Sequence, residues 1–189
     1  MEEEKVKPKK LGSKKRGVSD MFRTSYRTHM ELSGIADTKS NIMISINGLI
    51  ISIVIASISP KMDSNPWLFI PTTILLVTCL LSIVYAILSA RPRVSKEKVT
   101  LDDVRANQAN ILFFGNFHTM NRDEYVEGME ELMHDSERLY DNMARDLHGL
   151  GVVLAKKYAL LRISYNIFMI GLVISVLGFL LVYTLISYF

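Results

Sequence analysis

Cysteine is almost absent from this chain of 189 residues: Cys79 stands alone. A single thiol excludes an intramolecular disulfide and argues against a cysteine-built metal or redox centre. Its place inside an apolar run reads as a small packing residue. Proline is sparse, and none interrupts Ser19 to Ser59, so a long helix meets no covalent obstacle there. The chain also lacks a glycine-rich phosphate loop, a serine nucleophile elbow and a cysteine nucleophile outside the apolar runs. It is therefore expected to be non-enzymatic, with no catalytic residue, metal or cofactor. The most consequential absence is charge: Ile42 to Ser59, Trp67 to Ala90 and Ile163 to Phe189 contain no Asp, Glu, Lys or Arg.

At about 1.5 Å of helical rise per residue, each of these stretches is long enough to cross all or most of a hydrocarbon core roughly 30 Å thick. Lipid offers the backbone no hydrogen-bond partners, so the stretches must be helical. The expected fold is mainly α: an integral membrane protein with three transmembrane helices and a small cytosolic helical domain inserted between the second and third. Charge distribution orients it. Lys5 to Arg16, then Arg91, Arg93, Lys96, Lys98, Lys156, Lys157 and Arg162 place their segments on the cytoplasmic side, with the N-terminus inside. The first apolar run begins too far along the chain for a secretory signal, so no cleavage is expected.

The expected organisation is a flexible basic arm over 1–18, a cytosolic helix over 19–41 and spans over 42–59 and 67–90. A cytosolic domain over 91–162 and a third span over 163–188 complete it. The basic arm suits anionic lipid or a topogenic role better than nucleic acid. Ser19 is the expected N-cap of a helix carrying Phe22, Tyr26 and Met30, with Gly34 a candidate bend. In the inserted domain, Ile111 to Phe114 followed by Gly115 reads as a short extended piece or buried turn. Asn121 and Glu124 form a candidate capping box. Tyr125, Met129, Leu132, Leu139, Met143 and Leu150 follow near-heptad steps, a bundle or coiled-coil seam. His148-Gly149-Leu150-Gly151 is the expected kink or break.

Small residues form stripes within the spans. Asn41, Ser45, Gly48, Ser52, Ala56 and Ser59 share one face of the first. Cys79, Ser82, Ala86 and Ser89 share a face of the second, and Gly171, Ser175 and Gly178 a face of the third. Close helix packing is the favoured reading and a wet path in an oligomer the alternative. No charged residue marks a conventional ion or proton route.

Two constellations in the inserted domain carry possible chemistry. His134-Asp135, with Asp141, Asp146 and His148 nearby, resembles the metal-binding dipeptide of HD phosphohydrolases, although the ligand set such an enzyme needs is incomplete. Binding a cyclic nucleotide requires positive charge for phosphate, an aromatic surface for the base and amides for its edge. Arg105, Asn107, Gln108, Asn110, Phe113, Phe114, His118 and Arg122 supply all three. The competing reading makes the phenylalanines core and the amides loop ties.

Leu32 to Ile50 (LSGIADTKSNIMISINGLI), Asn110 to Phe117 (NILFFGNF) and Lys157 to Arg162 (KYALLR) leading to Gly171 resemble the small membrane effectors of bacterial Pycsar antiphage systems. The resemblance implies an effector of the bacterial inner membrane, switched on by a cyclic mononucleotide, a pyrimidine in that family, that a partner nucleotide cyclase makes; a homo-oligomer is the expected assembly. It implies damage to the bilayer as the output; nucleic acid is not an expected partner, because the basic arm is read as meeting lipid. The ligand candidates are Arg105, Asn107, Asn110, Phe113, Phe114 and Arg122. Asp37 and Lys39, charged at the entrance of the first span, must pair or snorkel and are the candidate coupling element. A passive membrane scaffold and an HD-type phosphohydrolase are the rival readings.

Overall fold

The computed structural model describes residues 11–58, 66–92 and 98–188. They form six α-helices and one short 3-10 turn at Pro66–Leu68: α1 Leu11–Ile58, α2 Phe69–Ala90, α3 Leu101–Arg105, α4 Phe114–Phe117, α5 Arg122–His134 and α6 Ser136–Tyr188. The chain divides into two compact units, one of Met1–Glu31 with Val94–Gly151 and one of Leu32–Arg93 with Val152–Phe189. Both α1 and α6 contribute residues to each unit.

Three expectations about helix ends are corrected. Helix α1 begins at Leu11, so Ser19 lies inside it instead of capping it; Lys14, Lys15 and Arg16 are good helix formers with no proline after them. Of the expected 1–18 arm, residues 1–10 lie outside the described residues and 11–18 are helical. Gly34 does not interrupt α1, and Gly149 and Gly151 do not interrupt α6. A glycine costs only about 1 kcal/mol relative to alanine within a helix, too little to break one supported on both sides. The break falls instead at Asp135, whose Oδ1 accepts from the amides of Glu137 and Arg138, both at 3.1 Å, and so caps the start of α6.

In the first unit Val99, Val104, Ile111 and Leu132 form the buried core, with Tyr125, Met129 and Leu139 packed against it. Part of the expected seam is therefore core, shared between α5 and α6. Helix α3 starts with a capping box, Thr100 Oγ1 accepting from the Asp103 amide at 3.3 Å while the Asp103 carboxylate accepts from the Thr100 amide at 2.9 Å. Asn121 is the N-cap of α5, as its spacing to Glu124 predicts, and Glu124 accepts from the Asn121 amide at 3.4 Å. Phe22 of α1 is buried and stacks on Tyr140 of α6, ring centres 6.1 Å apart.

The second unit has the opposite polarity. Its helices are long and apolar enough to cross a membrane. Large apolar side chains such as Leu49 (61% exposed), Leu80 (57%) and Leu177 (60%) face outward, whereas Ser40, Asn47, Ser82, Ser89, Ser164 and Ser175 are fully buried. That arrangement suits lipid as the surrounding medium, because the buried hydroxyls and amides find their partners within the protein, either on a neighbouring helix or, as for Ser40 and Ser175, on the carbonyl one turn back. Asn47 Nδ2 donates to the Met43 carbonyl at 2.8 Å and to Ser82 Oγ at 3.3 Å. Ser164 Oγ donates to the Ser82 carbonyl at 2.8 Å, and the two hydroxyls lie 3.0 Å apart. One polar node thus joins α1, α2 and α6.

The stripes of small residues divide in an instructive way. Cys79, Ser82, Ala86 and Ser89 are buried, as are Gly171 and Ser175. Gly171 faces Thr78, where a Cβ would overlap the threonine side chain, and a Cβ on Gly178 would come within 3.1 Å of Pro71. These two stripes are packing seams. On α1, by contrast, Asn41, Ser45, Ser52 and Ala56 are exposed, Gly48 is half-buried, and the buried face is Ala36, Ser40, Met43, Asn47 and Val54. Ser59 lies outside the described residues. Asn47 wins the interior because its amide reaches a partner on another helix.

Candidate functional site

All six ligand candidates fall in the first unit, on or beside the connection from α3 to α5. Arg105 ends α3 and reaches across to α5. Its guanidinium donates to Glu127 at 2.6 Å and to Glu131 at 2.6 and 3.0 Å. The Arg105 hydrogen bonds hold the Glu131 carboxyl below its ordinary range, and the two carboxylates raise the arginine further above neutrality. The cation that was to meet a phosphate is thus already held by two anions, on an exposed surface where exchange is open.

Asn107 turns the chain just after α3 with a positive φ of 57°, a conformation that asparagine tolerates better than most residues. Its Nδ2 donates to Asp141 at 2.9 Å and its carbonyl accepts from Arg145 at 3.0 Å. The Asn107 hydrogen bond, ahead of the Arg145 charge, sets the lowered pKa of Asp141. Asn110 donates to Asp146 at 3.0 Å and accepts from the Leu112 amide at 2.9 Å. Both amides therefore tie the connection to α6. Arg138 adds a third tie, donating to the Val104 carbonyl at 2.9 Å.

Asp146 has a second neighbour. Tyr26 of α1 donates its hydroxyl to the Met143 carbonyl at 3.1 Å. Burial first, and then the adjacent Asp146, push the Tyr26 pKa well above its ordinary value. Asn110, Asp146 and Tyr26 thus bring the connection, α6 and α1 together within this unit. Tyr26 had a sequence signal in its helical spacing from Phe22, and the reading of the amides as loop ties anticipated Asn107 and Asn110 without their partners on α6.

The aromatic candidates separate. Phe113 is half-buried against Phe114, ring centres 5.1 Å apart, while Phe114 is exposed. Phe117 packs on Tyr125 at 4.8 Å, in keeping with a core role. Arg122 opens α5 exposed and makes no ion pair or hydrogen bond among the described residues. Phe114 and Arg122 are therefore the candidates whose side chains are uncommitted.

His134 ends α5, Asp135 caps α6, and Asp141 and Asp146 serve Asn107 and Asn110. Among the described residues, no three His, Cys, Asp or Glu side chains are grouped so that they could hold a metal ion.

In the second unit, Asp37 is paired, but not with Lys39. Lys157 of α6 donates to Asp37 Oδ1 at 2.7 Å and Oδ2 at 2.9 Å, and to Ser33 Oγ at 3.1 Å. The lysine side chain is only 13% exposed and the aspartate 41%. Next to this pair, Ser89 donates to the Lys157 carbonyl at 2.9 Å and Tyr158 to the Leu32 carbonyl at 3.2 Å. Sequence spacing has no means of linking residues 37 and 157; the only available hint was that each sits beside an uncharged run.

A family model described as the Pycsar effector protein domain matches residues 20–184. No curated protein and no solved structure matches the chain.

Proposed function

Because this chain belongs to the Pycsar effector family, and is thus a multi-pass membrane effector of an antiphage system, we propose that a cyclic mononucleotide, most naturally a pyrimidine, switches it to a state that impairs the bacterial inner membrane. The observation that carries this reading is the extent of the match, which takes in the polar unit as well as all three apolar helices. In this reading the protein is a non-enzymatic effector without a cofactor, its N-terminus and polar unit are cytoplasmic, and a partner cyclase makes the signal.

Arg105, Phe114 and Arg122 are the side chains through which the ligand acts. A phosphate arriving at Arg105 competes with Glu127 and Glu131, so binding loosens the tie between α3 and α5. Since α1 and α6 supply residues to both units, a change in the polar unit reaches helices that also form spans. The exposed stripe of Asn41, Ser45, Ser52 and Ala56 supports self-association, small residues allowing close helix approach. Driving such a switch from 1:99 to 99:1 takes about 5.5 kcal/mol of differential binding, which several sites in a homo-oligomer share.

The test is dye release from liposomes holding the purified protein, titrated with cyclic CMP, UMP, AMP and GMP. One pyrimidine nucleotide should trigger release at lower concentration than the purines. The double substitution Glu127→Gln and Glu131→Gln frees Arg105 and should lower the concentration required, whereas Arg105→Gln should raise it. Silence towards all four nucleotides refutes the reading and leaves a passive scaffold.

A further inference from the structure

We infer that the second unit carries a site for the phosphate of an anionic phospholipid, in a cleft formed by Lys39 of α1 and by Tyr158, Leu161, Arg162 and Tyr165 of α6. The cleft has a volume of about 340 Å³. On α6 its residues follow helical spacing, so they present one face, and Lys39 meets that face from α1. Lys39, Arg162 and Tyr165 are exposed, Tyr158 is half-buried and Leu161 forms the floor at 4% exposure.

Two features make this an anion site and not merely a basic surface. The nearest acidic residue in sequence, Asp37, has both carboxylate oxygens engaged by Lys157, so it does not neutralise Lys39. Neither Lys39 nor Arg162 has a carboxylate partner among the described residues, which leaves two positive charges facing one cavity. The phenol of Tyr158 is spent on the Leu32 carbonyl, and that bond holds its ring in the cleft wall.

Position selects the class of anion. Lys39 lies three residues before Ile42 and Arg162 immediately before Ile163, the residues at which both helices become continuously apolar. Ile42 and Ile163 are themselves 47% and 41% exposed. A ligand in the cleft therefore meets cations and tyrosines on one side and lipid-facing side chains on the other. A phosphodiester attached to acyl chains satisfies both halves; a free phosphate satisfies only the first. Tyrosine and long basic side chains are the groups that favour this interfacial depth. The inference is independent of nucleotide gating.

Native mass spectrometry of the full-length protein in detergent, with phosphatidylglycerol or phosphatidylcholine added, tests it. Phosphatidylglycerol should be retained in preference to phosphatidylcholine. In Lys39→Gln with Arg162→Gln that retention should fall by about tenfold or more, since each basic group at an anionic lipid surface contributes roughly a fivefold effect. The charge-conserving pair Lys39→Arg with Arg162→Lys should keep most of it, which separates lost charge from lost folding. Equal retention of the two lipids, or undiminished phosphatidylglycerol retention in the Gln variant, overturns the site. Displacement of phosphatidylglycerol by millimolar inorganic phosphate or cyclic CMP also overturns it, by showing that a soluble phosphate is the ligand.

Discussion

Replacing Asp37 by alanine removes both carboxylate acceptors from a lysine whose side chain is 13% exposed. Breaking a fully buried pair in this way costs about 3–5 kcal/mol, and breaking an exposed one about 0.2–1 kcal/mol. Asp37 is 41% exposed, so solvent screens it and Lys157 keeps Ser33 as a partner. The expected destabilisation is therefore intermediate, about 1–3 kcal/mol. Lys157→Met removes the cation while keeping its aliphatic bulk and should cost less, because it leaves an exposed anion in place of a buried cation. A double-mutant cycle of the two, read by reversible unfolding of the protein in mixed micelles and followed by circular dichroism, should return a coupling of about 1 kcal/mol or more. Lys39→Ala, at an exposed position, should lie within about 0.5 kcal/mol of the parent. If this pair is the switch element, Asp37→Ala should also alter nucleotide-triggered dye release while leaving nucleotide affinity unchanged. A coupling energy near zero, or a Lys39 substitution as damaging as that of Asp37, would refute the pairing.

Gly171→Val should prevent correct packing of α2 against α6, because its side chain would occupy the space of Thr78; the loss should exceed about 2 kcal/mol and appear as a collapsed melting transition. Gly48→Ala, where a Cβ meets nothing within 4 Å, is the control and should leave melting unchanged or slightly raised. Tyr26 supplies a pH prediction. Its folded pKa lies above its unfolded value, so its contribution is complete below about pH 10 and declines as pH rises beyond that. Tyr26→Phe should lose the bond to Met143, lowering stability by about 1 kcal/mol at neutral pH, and should flatten the alkaline limb of a stability–pH curve. An unchanged alkaline slope would place the phenol in water.

The spans were legible because lipid imposes a one-dimensional rule: an uncharged run of sufficient length must be a helix, whatever its neighbours. The Asn121 cap was legible for the same local reason, since N-cap and N3 lie three residues apart. Glycine was read too strongly as a breaker at positions 34, 149 and 151, where continuity of a long helix outweighs about 1 kcal/mol. Asp135, an ordinary acidic residue in the middle of an apparently continuous heptad pattern, was missed because its capping role depends on the chain turning there. The ligand candidates were chosen by composition, which cannot say that Arg105 has Glu127 and Glu131 opposite it or that Asn107 and Asn110 are spent on α6.

Sequence alone determined what must lie in lipid and what must stay in water, because transfer free energy depends on residue type and run length. It also carried the family likeness. Which small-residue stripe turns inward, which carboxylate meets which lysine, and which arginine keeps an unoccupied guanidinium were decided only in three dimensions. Those outcomes depend on side chains 22 to 120 positions apart, such as Arg105 with Glu127, Asn47 with Ser82 or Asp37 with Lys157, coming within about 3 Å. Local spacing sets the face of a helix but carries no information about what is brought against it.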